Sequence, residues 1–198
     1  MTEPVASAVA KDVLRADLLA RRIARPTADR DAAAEAVAAA LLRGLDGVRT
    51  LAAFVPDPSE PGAGRLPAAY ADLGARVLLP VVLPQGRIMD WAVDTGELET
   101  GRFGLRQPVG PRLGPAAIGE ADAVVVPALA VDRLGFRLGR GGGYYDRALV
   151  HARPDAVLVT VVFDDERVDE LPREVHDRPV TAVVTPSGGW EDLVPPAG

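Results

Sequence analysis

RLGRGGGYYDR, residues 137–147, is the stretch on which the reading of this chain turns. Just upstream, DAVVVPAL (122–129) is a short and nearly unbroken apolar run, the mark of a strand covered on both faces in a parallel sheet. Downstream, 144–152 resumes helical character. A glycine-rich passage from buried strand to helix leaves backbone N–H groups uncovered by side chains, and Gly139, Gly141, Gly142 and Gly143 permit positive φ there. Arg137 and Arg140 add full positive charges, so the segment reads as a cradle for an anion such as a phosphate. It is not a Walker A loop, because no Gly-Lys-Ser/Thr follows. It is not the dinucleotide fingerprint either, because Tyr144 stands where the last glycine of G-x-G-x-x-G would fall. Asp146, in the first turn of the helix, would repel a phosphate unless a cation such as Mg²⁺ lay between them. Complementing the helix dipole is the other role open to it.

Working outward, the flanking segments alternate strand and helix. Helices are predicted over 5–24 and 28–43, the first closed by Pro26 and the second started by Thr27 and stopped by Gly44. In the first helix, Val9/Val13, Leu14/Leu18 and Leu19/Ile23 form i,i+4 apolar pairs. Strands are predicted over 48–55, 76–83, 124–129, 156–163 and 181–185, with a short helix at 65–73. The glycine- and proline-rich span 84–119, with a strand at 89–93, reads as an antiparallel edge or excursion. There is no internal repeat and no linker, so the expectation is one three-layer α/β/α domain over residues 1–198, with an open, mainly parallel sheet. In such sheets ligands sit outside the carboxyl ends of the strands, which is where the loop PDPSEPG (56–62) falls.

Composition narrows the function classes. A net charge of −6 and few aromatic residues argue against a nucleic-acid partner, which needs a broad basic face or a stacking platform. The absence of cysteine removes disulfides, thiolate metal sites and cysteine nucleophiles. No signal-peptide pattern and no apolar run near bilayer length is present, so the expectation is a soluble, cytoplasmic protein without a membrane partner. Serine occurs only at positions 7, 59 and 187, none in a G-x-S-x-G elbow. The two histidines, His151 and His176, lack zinc-ligand spacing.

Lys11 is the one lysine among 22 basic residues. A compact ammonium does what a planar guanidinium does not, and a site needing a point charge on a phosphate oxygen would resist the replacement. Lys11, Arg15 and Arg22, at i, i+4 and i+11, share one side of the first helix, a pattern that as a rule marks a solvated face. Late in the chain, Asp177 in LPREVHDRPV (171–180) could be a second metal carboxylate, or could pair with a neighbouring arginine or make an Asx-turn.

Together, the K-x-x-x-R helix, the glutamate loop after the first strand, RLGRGGGYYDR behind its V-V-P-x-L-A strand, and LPREVHDRPV resemble the 5-formyltetrahydrofolate cyclo-ligase family, over nearly the whole chain. The resemblance implies an ATP- and Mg²⁺-dependent closure of 5-formyltetrahydrofolate to 5,10-methenyltetrahydrofolate through a phosphorylated formyl group, by a monomer. It implies ATP contacts from Lys11, Arg15 and the loop Arg137, Leu138, Gly139, Arg140, Gly141, Gly142, Gly143, Tyr144 and Tyr145, with Arg140 and Lys11 acting in catalysis. Folate contacts would come from Glu60 and from Arg140, Gly141, Gly142, Gly143 and Tyr144. Mg²⁺ contacts would come from Asp146 and Asp177. Trp91 and Met89 would wall the pterin ring, with core packing as the other reading of Trp91.

This chain departs from the family pattern at Gly142, often lysine, at Gln107, often glutamate, at Thr181, often aspartate, and around Glu60. Two further readings stay open on these residues: a non-catalytic folate- or nucleotide-binding relative, and an ATP-dependent enzyme of the same fold acting on another amide.

Overall fold

The elements follow one another as the alternating pattern requires. The computed structural model describes residues 3–172 and 177–194. Helix α1 (Glu3–Ala24) and helix α2 (Thr27–Gly44) are followed by β1 (Thr50–Ala52), β2 (Arg76–Val82) and β3 (Met89–Val93). A small hairpin, β4 (Leu98–Thr100) with β5 (Arg106–Pro108), fills the excursion before β6 (Ala123–Pro127). A second small hairpin, β7 (Ala130–Val131) with β8 (Arg137–Leu138), leads into α3 (Tyr144–Ala148), after which come β9 (Val157–Val161), β10 (Ala182–Thr185) and β11 (Gly189–Asp192).

The main sheet runs β11-β10-β9-β6-β1-β2-β3. Its four inner pairings are parallel, and both outer ones, β2 with β3 and β10 with β11, are antiparallel. The expected mainly parallel sheet is therefore present, with the excursion at 84–119 forming an antiparallel edge. After β1 the chain moves outward to β2 and β3, then returns to place β6 on the other side of β1 and continues in the opposite direction. The switch point lies between β1 and β6, and a crevice opens there at the carboxyl ends of the strands.

Alternation along β6 divides the core. Ala123 and Val125 face a cluster with Val37, Leu41 and Tyr70, supplied by α2 and the 3₁₀ turn Ala68–Leu73. Val124 and Val126 face Ile118, Ala148 and Leu149 on the opposite side. Two faces covered by helical elements explain why β6 reads as a continuous apolar run. At the end of α2, a Cβ on Gly44 would lie 2.1 Å from the Trp190 ring, so glycine there lets β11 close over the helix.

Several local expectations change in three dimensions. The strand predicted at 48–55 shortens to Thr50–Ala52, because the chain leaves the sheet early to make the site loop. The helix predicted at 144–152 is α-helical only through Ala148 and tightens to a 3₁₀ turn at Leu149–His151. Pro26, not Thr27, occupies the cap position of α2, and the Thr27 hydroxyl accepts from Arg30 instead. The largest correction concerns α1. Val9, Val13 and Ile23 are exposed, whereas Lys11, Leu18 and Arg22 point inward. The helix lies over a polar crevice and the β7–β8 hairpin rather than over the sheet, so its inward face is a mixed row of cations and leucine. Among the described residues no helix is long and apolar enough to cross a membrane.

Candidate active site at the carboxyl edge of the sheet

The glycine segment leaves β8 and enters α3 through two left-handed residues, Gly141 (φ 89°) and Gly143 (φ 65°). A side chain is strained at either position. Gly139 and Gly142 lie outside that region, so only two of the four glycines are demanded by backbone conformation. Leu138 is fully committed to the core beside Leu18, Leu129 and Leu171, anchoring the segment from below. At Gly142 a Cβ would come within 2.9 Å of the Tyr144 ring.

Helix α1 is bound directly to this segment. Arg15 Nε donates to the Gly139 carbonyl at 2.9 Å, and the Arg15 guanidinium carbon lies 3.5 Å from where a Gly141 Cβ would be. Four residues earlier on the same face, Lys11 is buried and its Nζ stands 3.8 Å from Asp177 Oδ2. The cations predicted on one side of α1 are thus gathered into the crevice, and the solvated-face expectation for this stripe is overturned. What turned them inward is the crevice's own supply of carboxylates and carbonyls, which no local rule registers.

Charged groups flank the glycine segment on two sides. On one side Arg137 Nη2 donates to Asp146 Oδ1 at 2.5 Å and Nη1 to the Arg178 carbonyl at 2.6 Å. Burial pulls Arg137 below its ordinary range, while Asp146 and Asp177 together oppose that shift, so both carboxylates act on one guanidinium. On the other side Arg140 reaches back to the loop after β1, pairing with Asp57 and, at 3.2 Å, with Glu60 Oε1. Glu60 Oε2 accepts from the Asp57 N–H at 3.0 Å. Burial raises the Glu60 carboxyl above the usual carboxylate range despite the nearby Arg140. Asp57 moves the other way. Burial pushes it up, but hydrogen bonds from the Ser59 hydroxyl and N–H, with Arg140, hold it below that range.

Two groups missed in the sequence complete the second cluster. Arg22 is 0% exposed, and its Nε and Nη2 fork onto Glu166 at 2.6 and 2.7 Å. Glu166 was legible only as an acidic residue after a strand, and Arg22 only as part of a charged stripe. The usable signal was their joint position: an arginine in register with Lys11 and Arg15, and a carboxylate at the end of β9. Tyr145 is partly buried, and its hydroxyl, sealed from solvent, has no hydrogen-bond partner among the described residues, a state shared by the Tyr70 hydroxyl. Tyr144, half-buried, packs at the edge of the core.

Trp91 does not reach the crevice surface. It is fully buried with Met89 in the cluster on the α3 side of the sheet, so core packing is the reading of Trp91 that the geometry realises. An open cavity of about 700 Å³ lies nearby at the carboxyl end of β2, lined by Val82, Leu83, Pro84, Arg102, Gln107 and Arg112. Thr181, a departure from the family pattern, bridges β9 and β10 through hydrogen bonds with the Leu158 backbone. Gln107, another, donates to Glu99 across the β4–β5 hairpin. His176 lies outside the described residues.

The arrangement joins an anion-receptive loop, cations from a second element, a pair of carboxylates beside one flank and a buried glutamate beside the other. Comparison with known proteins gives the same combination a family. The family model described as the 5-formyltetrahydrofolate cyclo-ligase family matches residues 7–186. A 5-formyltetrahydrofolate cyclo-ligase of Mycolicibacterium smegmatis is 47% identical over 189 residues, covering 90% of this chain and 95% of the relative. The Escherichia coli K12 cyclo-ligase is 35% identical over 122 residues, 60% of this chain and 67% of the relative. Among solved structures, the Aquifex aeolicus 5,10-methenyltetrahydrofolate synthetase superposes with a TM-score of 0.76 at 29% identity, covering 95% of this chain and 94% of that one. With its sequence matched almost end to end and its sheet superposed on that of a methenyltetrahydrofolate synthetase, the chain belongs to the 5-formyltetrahydrofolate cyclo-ligase family.

Proposed function

We propose that this protein converts 5-formyltetrahydrofolate to 5,10-methenyltetrahydrofolate, with ATP becoming ADP and phosphate. The observation that carries this reading is the docking of Arg15 on the Gly139 carbonyl, which brings the cations of α1 to the glycine segment between Glu60 and the Asp146/Asp177 pair. A phosphate chain on the segment meets Lys11, Arg15, Arg137 and Arg140, while a folate ring beside Glu60 finds a carboxylate acceptor for its N–H donors.

The chemistry follows from the weakness of the formyl oxygen as a leaving group. In the first step that oxygen attacks the γ-phosphorus, the bond to the β-phosphate oxygen breaks, and ADP departs. In the second step N10 attacks the activated formyl carbon, and the C–O bond breaks with release of phosphate. The N10 proton leaves with solvent or phosphate, and the 5,10-methenyl cation remains. The protein's task is to hold two ligands in line and to match the charge that moves along the phosphates. Arg140 suits that task because it is half-exposed and shared between two carboxylates: a γ-phosphate can compete for it with Asp57 and Glu60.

Asp146 and Asp177 fit a magnesium ion. Both act on Arg137 and would be the carboxylates that hold the ion, whose remaining ligands would be water and phosphate oxygens. When bound, the ion would neutralise charge on the ATP phosphates. The cavity beyond β2, with Arg102 and Arg112, suits the carboxylates at the glutamate end of the folate.

The test is direct. Purified protein mixed with 5-formyltetrahydrofolate, ATP and Mg²⁺ is expected to develop the ultraviolet absorbance of the methenyl product with stoichiometric ADP. Folate binding without product would leave a binding protein only, and ATP use with another amide alone would reassign the substrate.

A further inference from the structure

Glu60 is the buried centre of the folate side, yet nothing on its own loop holds both carboxylate oxygens. Oε2 is fixed by the Asp57 N–H, and Oε1 faces two guanidiniums, Arg140 at 3.2 Å and Arg22 Nη1 at 3.9 Å. These two differ. Arg140 has a half-exposed side chain and is shared with Asp57. Arg22 is wholly buried and immobilised: Nε and Nη2 are bound to Glu166, Nη2 also donates to the Ala128 carbonyl at 2.7 Å, and the guanidinium lies over the Phe163 ring at 5.8 Å. Glu166 is itself held, accepting from the Phe163 N–H at 2.8 Å. The Nε–H and both Nη2 N–H groups are thereby used. Among the described residues Nη1, with its two N–H groups, has no hydrogen-bond partner, and it stands on the side facing Glu60.

A fully buried arginine with a free donor is costly unless that donor has a task. The contacts of Arg22 also span the switch point, joining α1 to the loop after β1 through Glu60, to the end of β6 through Ala128 and to the turn after β9 through Glu166. We propose that Arg22, clamped by Glu166, is a positioning residue for Glu60. It fixes the carboxylate in its ionised form and its orientation toward the folate, and so couples the seating of α1 to folate recognition. This rests on the cyclo-ligase reading for the identity of the ligand, but not for the geometry.

The groups facing Glu60 are Arg22 from α1, Arg140 from the glycine segment, the neutral Tyr145 hydroxyl from α3, and Asp57 from its own loop; the two arginines favour its ionised form and the Asp57 charge opposes it. A lysine at position 22, drawn onto Glu166, would hold its charge farther from Glu60, leaving burial less opposed and raising the Glu60 carboxyl further. The carboxylate is then lost at higher pH.

The experiment is a double-mutant cycle on the full chain with Arg22→Lys and Glu60→Gln, following methenyl product against pH, with thermal melts recorded for each protein. Lysine keeps the positive charge opposite Glu166 and protects the fold, but cannot supply both the Glu166 fork and Nη1. R22K is expected to raise the KM for 5-formyltetrahydrofolate roughly tenfold, to leave the KM for ATP within about twofold, and to move the acid limb of the folate kcat/KM profile to higher pH. In the E60Q background the same change is expected to add little to the folate KM and to leave no Arg22-dependent limb. Equal effects of R22K with and without Glu60, equal losses for ATP and folate, or an unshifted acid limb would each overturn the proposal and reduce Arg22 to a structural tie. Inactivity of the unmutated protein would instead sink the cyclo-ligase reading. In that case the same cycle read through folate binding, by quenching of protein fluorescence, decides the role of Arg22 independently.

Discussion

The two charged clusters beside the glycine segment are built from the same residue types and differ in how tightly they are sealed. Around Glu60 the decisive side chains are 0% and 10% exposed, for Arg22 and Glu60, and two neighbouring tyrosine hydroxyls are buried without partners among the described residues. Around Arg137 the carboxylates keep contact with water, Asp146 at 36% and Asp177 at 21%. A sealed cluster with unmet donors suits a ring recognised by fixed hydrogen bonds, because each unpaired group discriminates against a ligand that cannot match it. A wetter cluster of opposite charges suits a polyanion and its cation, whose arrival must exchange partners without a large desolvation cost. The contrast teaches that one loop can present two unlike environments when its flanks differ in dielectric rather than in composition.

Arg140 sits between the clusters, so its removal is expected to damage both. Arg140→Ala should lower kcat/KM by about 1,000-fold, the scale of losing a principal donor to developing charge, in assays that vary either substrate. A loss confined to one substrate would break the idea of a shared residue. Asp146→Asn probes the wetter cluster alone. The Mg²⁺ concentration for half-maximal turnover is expected to rise between tenfold and about 100-fold with the folate KM little changed, and the melting temperature to fall because Asp146 also pairs with the nearly buried Arg137. An unchanged Mg²⁺ dependence would remove Asp146 from the metal site.

Lys11→Arg should raise the KM for ATP about tenfold, the worth of one charge-assisted hydrogen bond, and full activity would show that the lone lysine has no special task. The smallest effect belongs to Asp57→Asn, expected to cost less than about 1 kcal/mol because the ion pair with Arg140 is partly solvated. Its pH dependence has a definite sign. The Asp57 carboxyl titrates lower in the folded protein than in the unfolded chain, so its contribution is complete above the unfolded value near 4 and disappears as pH falls through the folded one. The stability difference between wild type and D57N, followed by denaturant titration, should therefore shrink on acidification and not on raising the pH.

Much of this site was legible because its parts are chemically unusual. A run of glycines between arginines, a single lysine, and an aspartate at a helix start each stand out locally. Arg22 and Glu166 do not: an arginine on a charged helix face and an acid in an Asp-Asp-Glu turn are ordinary until they are found 2.6 Å apart across 144 residues. Trp91 failed in the opposite sense, since an aromatic residue suits a ring pocket as well as a core and only its position on β3 decides.

The sequence by itself determined the order of the two long helices and of strands β1, β2, β3, β6, β9 and β10, the parallel character of the inner sheet and the glycine-permitted turn into α3, because those depend on periodicity and on glycine's backbone freedom, which are local. Tertiary structure alone decided which face of α1 turns inward. That choice rests on long-range compensation, with buried cations tolerated only where carboxylates and carbonyls from β1, β6 and β9 converge to receive them.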